Sequence, residues 1–229
     1  MWFNTKQGLV RNKNWQLNSP ADLAKFPHLF QGLECEIYDL KRKAFRPFTQ
    51  HDYLQYSGTA YRTVWSIGCP FSCSYCANDV FVRNARKYRK IRYPSVGYLL
   101  DEIENAIKHH PYISTVVFYD DSFILIPVSA LREFSREYQS RIHLPFVVFG
   151  LHPNAVTEEK MDLLGKAGMN RGRMGIQSAS ERTLSFYHRP TSPGKIKDSA
   201  KILAEAARKY RMISPAYDVI TDNPLETRD

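Results

Sequence analysis

From Val64 onward the sequence alternates short β-branched runs with amphipathic helical stretches, and this alternation restricts the chain more than any other feature. Parallel strands cannot be joined by tight turns and need a crossover, usually a helix. Such crossovers are right-handed, so repeated β–α alternation predicts an α/β protein with a parallel sheet. Five strands are predicted: Tyr61 to Ile67, Thr115 to Tyr119, Pro145 to Phe149, Arg171 to Ile176 and Ser214 to Ile220. Their nearly continuous apolar character predicts strands covered on both faces. In Ser95 to His109 the residues Val96, Leu99, Leu100, Ile103, Ala106 and Ile107 follow helical spacing, and Pro111 stops the run. Thr157, Glu158 and Glu159 open a second helix that runs through Ala167, with Gly168 available to end it. A third, from Lys195 to Tyr210, carries Ile196, Ala200, Leu203 and Ala207 on one stripe.

Residues 1–57 differ, with mixed polarity and no sustained period, and read as an irregular leader or linker before a core at 58–229. The chain ends soon after the fifth strand, where Asp222 to Thr227 would open one more helix, so the core is expected to be C-terminally incomplete. Apolar runs such as Pro145 to Gly150 fall far short of the roughly 20 residues of a membrane span, and Met1 opens into polar residues. A cytoplasmic protein is expected. Four cysteines in 229 residues are too few for a disulfide scaffold.

Three of those cysteines stand together in Gly68-Cys69-Pro70-Phe71-Ser72-Cys73-Ser74-Tyr75-Cys76, spaced C-x3-C-x2-C directly after the first strand. Gly68 and Pro70 favour a loop, which lets the three sulfurs converge. Thiolates are soft ligands suited to an iron–sulfur cluster or to zinc. A four-iron cluster held by three protein ligands leaves one iron open for chemistry. The zinc alternative is a knuckle completed by Cys35 or a histidine, although Cys35 lies far upstream without paired spacing.

This loop resembles the signature of the radical S-adenosylmethionine superfamily. The resemblance implies a partial (βα)6-type barrel, here with five of six βα units, in which Cys69, Cys73 and Cys76 ligate a [4Fe–4S] cluster and Tyr75 lies near the adenine of S-adenosylmethionine. Phe118-Tyr119-Asp120-Asp121-Ser122-Phe123 resembles the region contacting the cofactor's amino group, which nominates Asp120 or Asp121. Gly175-Ile176-Gln177-Ser178-Ala179-Ser180-Glu181 resembles the segment near its ribose and carboxylate, which nominates Gln177 and Ser178; Ile220 is the expected adenine contact. The implied activity is reductive cleavage of S-adenosylmethionine to a 5′-deoxyadenosyl radical, with an external electron donor and no general base. The Arg92-Tyr93-Pro94-Ser95 step before Asp101-Glu102-Ile103-Glu104, and the Asn223-Pro224-x-Glu226-Thr227 ending, resemble the cobalamin-binding subgroup. None of the seven histidines falls in that subgroup's Asp-x-His-x-x-Gly pattern, so no cobalamin site is expected in this chain.

Lys and Arg exceed Asp and Glu to give a net charge of +9, and six basic residues interleave with aromatics between Val82 and Pro94. Such a run is a solvated face or a site for an anionic substrate such as RNA. Two competing readings follow: a zinc-stabilised basic module binding RNA or a partner, and a catalytically incomplete fragment.

Overall fold

The computed structural model describes residues 2–11, 16–28, 34–221 and 223. The region before residue 58 contains regular structure. Strands β1 (Trp2–Thr5) and β2 (Gly8–Arg11) form one antiparallel hairpin, and β3 (Glu36–Asp39) and β4 (Ala44–Pro47) form another. Two short helices, α1 (Pro20–Leu23) and α2 (Gln50–Ser57), each begin with a reciprocal capping box, Ser19 with Asp22 and Thr49 with Asp52. The expected irregular leader is corrected to this extent. Its strands are four residues long, below the length at which alternation becomes visible, and β2 is exposed throughout. Arg46 forks onto the Asp52 carboxylate with both bonds at 2.7 Å, tying the second hairpin to α2.

The core then runs β5 (Ala60–Thr63), α3 (Asn78–Asn84), a 3₁₀ turn (Arg86–Arg89), α4 (Val96–His109), β6 (Thr115–Phe118), α5 (Val128–Arg141), β7 (Phe146–Leu151), α6 (Glu158–Ala167), β8 (Met169–Gln177), α7 (Glu181–Phe186), α8 (Pro193–Lys209) and β9 (Ala216–Val219). The five core strands are parallel and lie in sequence order β5-β6-β7-β8-β9. Consecutive order with a helical crossover at each step is the winding of a barrel, here five strands of it. The sheet matches the predicted strands in number, order and direction. The predicted helix at Lys195 begins two residues earlier, because Ser192 caps the Lys195 N–H and Pro193 takes the first helical position. Helix α5 was not among the predicted helices, because its arginines, glutamates and serines dilute the stripe of Leu131, Phe134, Ser135 and Tyr138 that it buries. Of the predicted Asp222 to Thr227 stretch, only Asn223 lies among the described residues.

The helices cover one face of the sheet. The opposite face is more open, with Arg62 of β5 and Arg171 and Arg173 of β8 exposed between buried neighbours, so the expectation of strands covered on both faces is corrected for these two strands, whereas Val116, Val117 and Phe118 of β6 are all buried. On the helical side, Phe134 of α5 is the hub of an aromatic cluster. Its ring centroid lies 5.1 Å from Trp65, 5.8 Å from Phe118, 5.0 Å from Tyr138 and 5.5 Å from Phe146. Trp65 stands just past β5, so this cluster also anchors the root of the cysteine loop.

Replacing Phe134 with Ala is expected to cost about 3–5 kcal/mol, the range for truncating a buried aromatic. Phe134→Leu should cost less. Urea denaturation monitored by tryptophan fluorescence checks both.

Candidate active site

Strand β5 ends at Thr63, four residues before the predicted end, because the next backbone donors bond a side chain instead of a strand. The Trp65 N–H donates to Asp120 Oδ2 at 3.1 Å, and the Ser66 N–H and Oγ–H both donate to Asp120 Oδ1 at 2.5 Å. Asp120 follows β6, so its carboxylate couples the ends of the first two sheet strands. The chain then turns into the cysteine loop.

The loop rests on the 3₁₀ turn. Ile67 and Arg92 exchange two backbone bonds, at 2.8 and 3.0 Å, and the Cys69 N–H donates to the Tyr88 carbonyl at 3.2 Å. Gly68 is required where these segments meet: its φ is +119°, and a Cβ there would stand 2.6 Å from the Lys90 carbonyl oxygen. Arg89 donates to the Pro70 carbonyl at 2.8 Å and to Ser72 Oγ at 2.5 Å. From the other side, the Ser74 N–H donates to the Tyr187 carbonyl at 2.9 Å, and the Tyr75 and Tyr187 rings meet edge to face at 5.1 Å. The loop is thus held between the Arg86–Arg92 segment and the end of α7.

A cavity of about 260 Å³ opens at the C-terminal ends of the parallel strands, and Cys69, Cys73 and Cys76 all line it. All three thiols are free. Cys69 is held above its ordinary thiol range chiefly by burial, with the nearby Cys73 and Cys76 adding to the shift. Tyr75, Asp121 and Gln177 line the same cavity, so six of the nine residues nominated from sequence come together. The other three do not reach it. Asp120 is buried beneath the loop; burial pushes its carboxyl up to about 6, although Ser66 and Trp65 donate to it. Ser178 is buried and its Oγ accepts the Ser180 N–H at 3.1 Å. Ile220 follows β9 and donates its N–H to the Gln177 carbonyl at 2.9 Å. Cys35 is exposed beside β3 and is not part of the cavity wall. Among the described residues, no three His, Cys, Asp or Glu side chains stand at the spacing of a single metal ion.

Several lining residues were not nominated from sequence. Arg189 is buried, donates to the Tyr75 hydroxyl at 2.9 Å and to the Gly175 carbonyl, and lies 3.9 Å from Cys73 Sγ. Its Nε has no partner among the described residues. His152 stacks on Phe71 at 4.1 Å and accepts the Asn154 N–H at Nδ1, while its Nε2 is buried without a partner among the described residues. Burial, reinforced by the Arg189 charge, holds the His152 imidazole down to about 3, so it is neutral at pH 7. Arg173 pairs with Asp218 at 2.6 Å, bringing β8 and β9 side chains to the same wall. Gly150, at φ +79°, kinks β7, and a Cβ there would overlap the Asp120 carbonyl. Gln177 holds a left-handed φ of +70° beside the β8–β9 register shift, the kind of backbone outlier that clusters at functional sites.

Residues 63–227 match the Radical SAM superfamily profile. The match covers well over half of the chain, which therefore belongs to the radical SAM superfamily of enzymes. The chain is 27% identical over 165 residues to the uncharacterized methyltransferase PH0819 of Pyrococcus horikoshii, covering 72% of this chain and 33% of that protein. Among solved structures it is similar in fold to the radical S-adenosylmethionine methyltransferase TsrM from Kitasatospora setae (TM-score 0.65, 21% identity, 99% of this chain and 41% of that one). It is likewise similar to the cobalamin-dependent S-adenosylmethionine radical enzyme OxsB (TM-score 0.62, 19% identity, 84% of this chain and 30% of that one). The chain spans between 30% and 41% of the length of these relatives. No helix among the described residues is long and apolar enough to cross a membrane.

Asp120→Ala leaves two backbone donors buried without an acceptor and is expected to cost about 1–3 kcal/mol per group. Asp121→Asn, on the cavity wall, should leave thermal stability within about 0.5 kcal/mol of wild type; calorimetric melting separates the two. His152 is depressed in the folded state relative to its ordinary 6.5. Its contribution is therefore present above pH 6.5 and is lost as pH falls towards 3, at up to about 1.4 kcal/mol per pH unit. His152→Phe should flatten that part of a urea-stability profile measured between pH 4 and 8.

Proposed function

We propose that this chain forms the part of a radical S-adenosylmethionine enzyme that binds a [4Fe–4S] cluster and its cofactor. The observation that carries the reading is the placement of three free thiols from one rigidly held loop on a cavity at the C-terminal ends of a parallel, barrel-wound sheet. The donor set fits the cluster: three soft ligands, with a fourth iron position left to a substrate or cofactor. The chemistry that such a cluster supplies is a low-potential electron that breaks the 5′-carbon–sulfur bond of S-adenosylmethionine, releasing methionine and a 5′-deoxyadenosyl radical.

In this reading the protein works by positioning. Cys69, Cys73 and Cys76 ligate the iron. Asp121 accepts N–H bonds from the amino group of S-adenosylmethionine, Gln177 bonds its polar ribose and carboxylate region, and Tyr75 flanks the adenine. Asp120 acts beneath the site by fixing the Trp65–Ser66 backbone from which the loop departs, and Ser178 fixes the turn after β8. Ile220 supports β8 by its backbone bond to Gln177. Neutral His152 and Phe71 stack to form a flat part of the cavity wall. No residue is assigned to cobalamin.

Anaerobic reconstitution with iron and sulfide, followed by S-adenosylmethionine and dithionite, is expected to yield 5′-deoxyadenosine, detected by chromatography. Cys73→Ala should lose most of the bound iron and all product, whereas Cys35→Ala should retain both. A colourless wild-type protein carrying one zinc would overturn the reading.

A further inference from the structure

Beside the cysteine loop lies a charged surface that the proposed chemistry does not use. No carboxylate occurs from Val80 to Leu100, while Arg83, Arg86, Lys87, Arg89, Lys90 and Arg92 all fall within that stretch. The structure divides them. Arg92 is buried and donates to the Asn18 carbonyl at 2.8 Å. Arg83 pairs with Asp79, and Arg89 braces the cysteine loop through neutral acceptors, so that its charge is retained. Arg86, Lys87 and Lys90 are exposed, and none of their side chains enters an ion pair among the described residues. Next to them α3 presents Val80 and Phe81, each more than half exposed, and the Phe81 ring lies 5.3 Å from that of Tyr88.

The surface therefore combines exposed apolar side chains with cations, groups that protein interfaces bring together. It also backs directly onto the proposed site. The Tyr88 carbonyl accepts the Cys69 N–H at 3.2 Å, and the Tyr88 hydroxyl bonds two cavity residues, Asn78 at 3.2 Å and Asp121 at 3.1 Å. One residue thus links the solvent-exposed patch to the backbone of a cysteine that we assign to the cluster.

Resting on the function proposed above, we infer that the surface formed by Val80, Phe81, Arg86, Lys87 and Lys90 docks an acidic one-electron carrier protein. Electron transfer falls steeply with distance, so the carrier has to dock close to the cysteine loop, and this face is joined to that loop through Tyr88. The step balances as one electron leaving the carrier's reduced flavin or iron–sulfur group, which is oxidised by one, and entering the cluster, which is reduced by one. No bond in this chain forms or breaks. Like-signed cations without partners steer an acidic partner and raise its association rate by ten-fold or more at low salt.

The test compares wild type with R86E/K87E/K90E and the neutral R86Q/K87Q/K90Q, all reconstituted, using an acidic flavodoxin in its hydroquinone form as the probe. Calorimetric titration measures binding, and stopped-flow bleaching measures cluster reduction. Both variants should keep wild-type iron content and wild-type 5′-deoxyadenosine formation with dithionite. The glutamate variant should bind flavodoxin and be reduced by it at least ten-fold more weakly, with the glutamine variant between, and added salt should slow the wild type towards the variants. Equal flavodoxin binding and reduction in all three proteins, with dithionite turnover intact, overturns the docking surface alone. Unchanged reduction together with a ten-fold loss of affinity for a single-stranded RNA oligonucleotide overturns it in favour of nucleic acid. Failure of the wild type to form a cluster overturns the underlying function as well.

Discussion

The carboxylate of Asp120 is the interaction on which the rest of the site depends. It sits after β6 and takes the backbone donors that follow β5, so the first strand stops at Thr63 and the chain leaves the sheet in one defined direction. A buried carboxylate is costly unless donors satisfy it. Here the donors are the backbone at the root of the cysteine loop and the Ser66 hydroxyl. Loss of the loop's trajectory would leave both sides unsatisfied, which ties the root of the loop to this geometry. The close approach continues into the next strand, where Gly150 lets β7 pass against the Asp120 carbonyl with no Cβ in the way.

Around that tie the loop is gripped from two directions. The Arg86–Arg92 segment supplies backbone acceptors and the Arg89 guanidinium, and the end of α7 supplies the Tyr187 carbonyl and Arg189. These elements are far apart in sequence from each other, and only the winding of the sheet brings them to one rim. The site's charge balance follows from the same convergence. Arg189 and the Arg173–Asp218 pair come from β8, β9 and the segment after α7, whereas the thiols come from the loop after β5. His152 remains neutral because it is buried beside that cationic group.

Tyr88 links this interior to the surface. Its carbonyl holds Cys69, its hydroxyl reaches Asp121, and its ring faces Phe81 among exposed cations. The basic run therefore has two roles that its composition does not separate. Arg89 and Arg92 are built into the scaffold of the loop and leader, while Arg86, Lys87 and Lys90 stay on the outside.

Local patterns determined much of this protein before any contact was known. The β–α alternation specified a parallel sheet, because parallel strands need helical crossovers, and the family resemblance implied the barrel winding that the sheet follows in chain order. The spacing of Cys69, Cys73 and Cys76 placed three thiols on one Gly- and Pro-bearing loop, because both features act within a few residues, and the fold sets that loop on the cavity wall. The caps at Thr157 and Gly168 were legible for the same reason. The tertiary structure decided what depends on distant partners. It separated Asp120, which turns under the loop, from its neighbour Asp121, which faces the cavity, a distinction that an Asp-Asp pair does not encode. It also recruited Arg189 and His152, which belong to no local motif and acquire their roles only because strands that are far apart in sequence end at the same rim. Sequence periodicity reports which residues share a face of one element, whereas a site is made where several elements end, and that meeting is set by the packing of the whole sheet.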